Sequence, residues 1–92
     1  MEIKREAAAG SLESSDILVT VMPGGDGIQI HLESSVDKYY GASIQATMRQ
    51  VLEELGVERA TVEAVDHGAL DCTIRARLTT AVRRAGREVE SK

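Results

Sequence analysis

Tryptophan and phenylalanine are absent from this sequence, and its aromatic content is two adjacent tyrosines, Tyr39 and Tyr40. A core must therefore be assembled from Val, Ile, Leu, Met and Ala. It will be thin, because a domain this small buries a modest share of its surface. Two tyrosines also leave no set of stacking platforms for single-stranded nucleic acid. A basic surplus is missing too. The formal net charge is −4 over 92 residues, the wrong sign for a chain that neutralises phosphates. Cysteine occurs once, at Cys72. One thiol closes no internal disulfide, so a secreted disulfide scaffold is excluded. One Cys with two separated histidines, His31 and His67, matches no zinc-ligand spacing. No apolar run approaches membrane-spanning length. The opening MEIKREAAAG lacks the apolar stretch of a signal peptide. The expectation is a cytoplasmic protein that binds neither nucleic acid nor membrane.

What is present suits one compact domain. Residues 1–15 show no sustained period and read as a flexible N-terminal arm. Within it, AGSL is expected to pair at most transiently with a sheet. Residues 16–87 read as a single α+β domain, and 88–92 as a frayed tail. ILVTVM (17–22) is β-branched and apolar, which predicts a strand. PGGDG (23–27) is a dense turn signal. IQIHLE (28–33) alternates strictly, a half-buried strand. The two strands read as an antiparallel hairpin. Val36, Tyr40, Ile44, Met48, Val51, Leu52 and Leu55 then form one apolar stripe at helical spacing. Ser34 or Ser35 can cap this helix, Gly56 can end it, and Gly41 suggests an irregular start. A third strand is expected over roughly 61–65. A second helix follows, capped by Asp71 and ended by Gly86, with Leu70, Ile74, Leu78, Ala81, Val82 and Ala85 on its apolar side. The predicted order is β-β-α-β-α. Two amphipathic helices on one face of a small sheet make a two-layer α+β domain.

Chemistry-bearing motifs are scarce. His31 falls on the polar side of its strand, and His67 in a turn. Cys72 near a helix start is a candidate reactive thiol, but no Cys–His framework accompanies it, and a half-buried small hydrophobe is the better reading. PGGDG lacks phosphate-loop spacing and joins two strands. Glu53 and Glu54 lie on a solvent face. Arg75, Arg77, Arg83, Arg84 and Arg87 make the second helix locally basic. They read as a solvated face, with Arg83 and Arg84 complementing the helix dipole, or as a docking patch. Three serines remain in the arm: Ser11, Ser14 and Ser15, the last two flanked by Glu13 and Asp16. An exposed hydroxyl on a mobile segment suits a modifying enzyme, but the residues alone do not choose among the three.

Three blocks, AGSLESSD (9–16), SSVDKYYG (34–41) and DHGALDCTIRARL (66–78), resemble the acyl carrier protein, or γ chain, of citrate lyase in order and spacing. The resemblance covers nearly the whole chain, with a short PGGDG loop and a brief tail as departures. It implies a non-catalytic carrier subunit. The family's serine in a Glu-Ser-x-Asp context carries phosphoribosyl-dephospho-CoA, 2'-(5''-phosphoribosyl)-3'-dephospho-CoA, through a phosphodiester. That serine falls on Ser14, with Glu13 and Asp16 as recognition neighbours. The implied partners are a transferase α subunit, a lyase β subunit and the enzyme that attaches the group. The terminal thiol would carry acetyl and citryl thioesters while citrate is cleaved to acetate and oxaloacetate. The segment differs from the Asp-Ser-Leu motif of four-helix acyl carrier proteins, and the strand-rich pattern opposes that bundle. The alternatives are the carrier of a malonate decarboxylase-type complex, an unmodified interaction module, or a small enzyme using Cys72 or His67.

Overall fold

The computed structural model describes residues 1–34 and 37–86. The expected tail, Arg87, the alternative cap Ser35 and the stripe position Val36 lie outside the described residues. The elements are β1 (Ala7–Gly10), β2 (Ile17–Met22), β3 (Ile28–Ser34), α1 (Asp37–Glu54), β4 (Ala60–Asp66) and α2 (Asp71–Gly86). One sheet runs β1-β2-β4-β3. β2 pairs antiparallel with β1 and β4, and β3 pairs parallel with β4. Helix α2 packs on β1, β2 and α1, while α1 packs on β3. The two-layer α+β class is therefore as the pattern predicted, and a helical bundle is excluded.

Two expectations about the sheet need correction. The order gains a strand, β-β-β-α-β-α, because part of the supposed arm is β1. Ala7 lies opposite Val21 and Ala9 opposite Val19. Ile3 and Ala9 are buried, and the Lys4 and Arg5 amides donate to the Ala85 carbonyl. Ala and Gly are poor strand formers, so AAAG gives no local signal. Its strand state comes from an edge that β2 offers. The second correction concerns the hairpin. β2 and β3 are not neighbours, because β4 lies between them. The two central strands, β2 and β4, place a buried residue at every second position, with half-covered residues and the exposed Glu63 between them. β3 carries Gln29, His31 and Glu33 on exposed positions, which suits an edge. Its parallel pairing to β4 runs through α1, the helical crossover such a pair requires.

The core contains Ile17, Val19 and Val21 from β2, Ala60, Val62 and Ala64 from β4, Ile44, Met48, Val51 and Leu52 from α1, and Ile74, Leu78, Ala81, Val82 and Ala85 from α2. Helix α1 is regular from Asp37, so Gly41 does not interrupt it. It ends in a Schellman motif: the Val57 amide donates to the Leu52 carbonyl and the Gly56 amide to that of Glu53. Gly56 has the left-handed φ of +71° that this ending requires. Tyr40 and Leu70, both expected on apolar faces, are 59% and 69% exposed. Leu70 instead precedes α2, and its carbonyl accepts the first helical bond, from Ile74. Asp71 is consequently the first helical residue rather than the cap. Its carboxylate accepts from Thr47 Oγ1 of α1 at 2.8 Å and from Arg75 Nε at 2.9 Å, tying the two helices together.

Candidate functional site

The connection between β1 and β2, residues 11–16, carries all three serines, and its shape begins at Gly10. Gly10 has a φ of +99°, and a Cβ there would stand 1.8 Å from the Ile17 carbonyl oxygen. Only glycine lets the two strands close this tightly. Inside the turn, Ser11 Oγ donates to Asp16 Oδ2 at 2.6 Å and accepts the Glu13 amide at 3.2 Å. The Asp16 amide donates to the Glu13 carbonyl at 3.1 Å. Ser15 adopts a left-handed φ of +64°, a conformation uncommon outside glycine.

The turn is also held from outside. The Ser15 amide donates to the His67 carbonyl at 2.7 Å, and the His67 amide to the Asp16 carbonyl at 2.9 Å. These bonds extend the β2–β4 ladder past its last pair, Ile17 opposite Asp66. From α2, Arg77 Nε and Nη2 donate to the two Asp16 carboxylate oxygens, each at 3.0 Å. The Ile17 amide adds a donor at 2.7 Å. Hydrogen bonds from Arg77, then Ser11, then the Ile17 backbone hold the Asp16 carboxyl well below its ordinary range, at about 2.

The expected site residues thus separate. Asp16, with its side chain 13% exposed, is the central anchor of the turn. Ser11 is committed to Asp16. Ser15 is pinned by its backbone. Glu13, Ser14 and Ser15 are all exposed, and among the described residues nothing hydrogen-bonds the Ser14 or the Ser15 hydroxyl, so the two serines differ in backbone rather than in exposure. Arg77 was not foreseen as a loop residue, because it sits 61 positions from its partner.

The adjoining β4–α2 turn is built on Asp66, the one polar residue among the buried ones that the structure describes. Its carboxylate accepts from Ser34 Oγ at 2.9 Å, the Gly68 amide at 3.2 Å and the Ala69 amide at 3.0 Å. Asp followed two residues later by Gly is an Asx-turn signal, and it could have drawn attention to this position. A cavity of about 280 Å³ opens beside the turn, between the N-terminal halves of α1 and α2.

The remaining motifs fall elsewhere. His31, His67 and Cys72 are exposed, so Cys72 is not the half-buried residue expected. Its side chain follows the first residue of α2 on the solvent side, which helical spacing alone did not decide. No group of three His, Cys, Asp or Glu residues among those described is placed to hold a metal ion. No described helix is long and apolar enough to cross a membrane. Of the four described arginines of α2, three are engaged within the chain. Arg75 binds Asp71 and Gln50, Arg77 binds Asp16, and Arg84 donates to the Ala8 carbonyl. That leaves little of the basic patch for a partner.

Comparison with known proteins adds to this geometry. Residues 4–85 match the family model described as the malonate decarboxylase delta subunit (MdcD). The citrate lyase acyl carrier protein of Streptococcus mutans is 59% identical over 86 residues, spanning 92% of this chain and 84% of that one. Proteins of the same name from Lacticaseibacillus casei and Lactiplantibacillus plantarum are 52% and 53% identical over 85 residues. They too span 92% of this chain, and 84% and 88% of their own lengths respectively. A chain in the crystal structure of a Pseudomonas malonate decarboxylase hetero-tetramer in complex with malonate superposes with a TM-score of 0.78 at 22% identity. That alignment covers 94% of this chain and 89% of the other, a likeness of fold.

Proposed function

The chain belongs to the family of citrate lyase acyl carrier proteins, and from that premise we propose that Ser14 carries phosphoribosyl-dephospho-CoA through a phosphodiester. The observation that carries this reading is the exposure of the Ser14 hydroxyl on a turn in which Ser11 and Asp16 are already engaged and Ser15 is held in a left-handed backbone. The residues fit such a group. Ser14 is reachable by a modifying enzyme, and the Arg77 clamp balances the Asp16 charge that would otherwise lie beside the new phosphate.

When bound, the arm supplies a terminal thiol that holds acetyl and citryl groups as thioesters while citrate is cleaved to acetate and oxaloacetate. The protein's own part is positional. The Gly10 turn, the His67 backbone pair and the Arg77 clamp hold the attachment point at one end of the sheet. Tethering keeps the acyl group at an effective concentration in the ~mM range. The chain itself acts as a carrier subunit and contributes no catalytic side chain. Its partners are the transferase (α) and lyase (β) subunits of the complex and the enzyme that attaches the arm, in the cytoplasm. The malonate decarboxylase-type alternative has the family-model description and a structural likeness at 22% identity behind it, against 52% or more identity to the citrate lyase carriers, which favours the latter.

Intact mass of the protein from its native host tests the proposal. One added arm is expected, absent in Ser14→Ala and retained in Ser15→Ala. An unmodified native protein, or a Ser14→Ala variant that still gains the mass, overturns the assignment.

A further inference from the structure

Resting on Ser14 as the attachment point, we propose that the cavity between α1 and α2 is a resting site for the acetylated end of the arm. Ile44 and Ile74, both buried, supply its deepest lining, with Ser43, Thr47, Gly68 and Ala69 around them. At ~30 Å³ per water, its volume of about 280 Å³ holds a short thioester end but not the nucleotide. An apolar floor with a few polar groups at the edge is the ordinary make-up of a small-ligand pocket.

Position selects the occupant. Gly68 lines the cavity and follows His67, whose carbonyl accepts the Ser15 amide. Through that hydrogen bond, the path from Ser14 to the cavity wall is under about 10 Å. An arm of CoA length reaches farther. The turn is fixed by the backbone bonds to His67 and by the Arg77 clamp, so attachment point and cavity keep one relation. With an effective concentration in the ~mM range, a dissociation constant of ~1 mM suffices to fill the cavity about half of the time.

Charge selects the acyl group. Asp71 also lines the cavity, and hydrogen bonds from Thr47 and Arg75 keep its carboxyl below the ordinary range, so it is ionised at neutral pH. With Asp71 neutralised by Arg75, the selection comes from the apolar floor, which accepts a neutral acetyl thioester and disfavours a citryl thioester whose free carboxylates would lose water there. The acetylated carrier is then sheltered from water, while the citryl form stays out.

The test uses the full chain carrying its arm, loaded with 13C-acetyl and checked by mass for attachment at Ser14. Isotope-filtered NMR should show contacts from the acetyl methyl to the Ile44 and Ile74 methyls. The citryl-loaded protein should lack them. Hydrolysis of the acetyl thioester should be about twofold slower than in Ser43→Trp, which fills the cavity from an exposed helix position. Ala42→Trp, one residue outside the lining, should match the parent. An arm on Ser14 without these contacts overturns the resting site alone. So do equal contacts from the citryl form. Absence of the arm from Ser14 overturns the attachment proposal and this one with it.

Discussion

Arg77, in the second turn of α2, grips both carboxylate oxygens of Asp16 at 3.0 Å and thereby ties the β1–β2 turn to the helical layer. A planar guanidinium meeting a carboxylate in two parallel bonds fixes direction as well as distance. Ser14 lies two residues before this anchor. The clamp and the exposed hydroxyl therefore form one unit, with the proposed attachment point free and its base immobilised.

Loss of the clamp should free the turn. In Arg77→Ala, and more weakly in Arg77→Lys, the Ser15 and Ile17 amides should exchange with solvent faster than in the parent. Amides in the middle of β4 should change little. Unchanged exchange at Ser15 and Ile17 would show that the His67 backbone bonds hold the turn alone.

The clamp also has a pH signature. Folding lowers the Asp16 pKa from 3.8 to about 2. A carboxyl depressed by folding stabilises the native state above its unfolded pKa, and that contribution is lost as pH falls through the folded value. The Asp16 share is thus complete above about pH 4 and disappears between 3.8 and about 2. Asp71 acts in the same direction. Urea unfolding of the parent and Asp16→Asn should differ at pH 6 and converge near pH 2. A difference independent of pH would rule out the ionised clamp.

Gly10→Ala should be severe for so small a change. The left-handed backbone alone costs a side chain about 1–3 kcal/mol, and the new Cβ meets the Ile17 carbonyl oxygen at 1.8 Å. For a domain of this size each kcal/mol lowers Tm by ~4–8 °C. Calorimetry should show a fall of that order or greater. Gly25→Ala, where a Cβ meets nothing within 4 Å, should change Tm little.

Asp66→Ala should destabilise by about 1–3 kcal/mol, because the Gly68 and Ala69 amides lose their acceptor in a part-buried turn. Leu78→Ala should cost about 2–5 kcal/mol by leaving a cavity in the core. Either is a large share of the ~5–15 kcal/mol such a domain holds. Leu70→Ala, at 69% exposure, should fall within about 0.5 kcal/mol of the parent. Chemical denaturation distinguishes these outcomes.

Part of the fold was legible because its signals are local. The Ile28–Leu32 alternation, the Ile44–Leu52 stripe, the Ile74–Ala85 stripe and the Gly56 helix stop each follow from a repeat a few residues long. β1 was not legible, since AAAG has neither strand propensity nor period. The neighbour of β3 was not legible either, because alternation marks a buried face and is silent about which strand pairs beside it. Tyr40 and Leu70 fit helical spacing, yet lie near helix starts where the stripe has already left the core.

The sequence by itself determined the two-layer class, the two helix stripes and the Glu13-Ser14-Ser15-Asp16 string that marks the family. Tertiary structure alone decided which of those side chains are held and which are exposed. Ser11, Asp16, His67 and Arg77 come from a turn, a second turn and a helix, and no short-range pattern connects them. Their convergence depends on β4 entering the sheet beside β2 and on α2 crossing that pair. It is this packing that commits Ser11 and Asp16 to one another and leaves the Ser14 hydroxyl open to solvent.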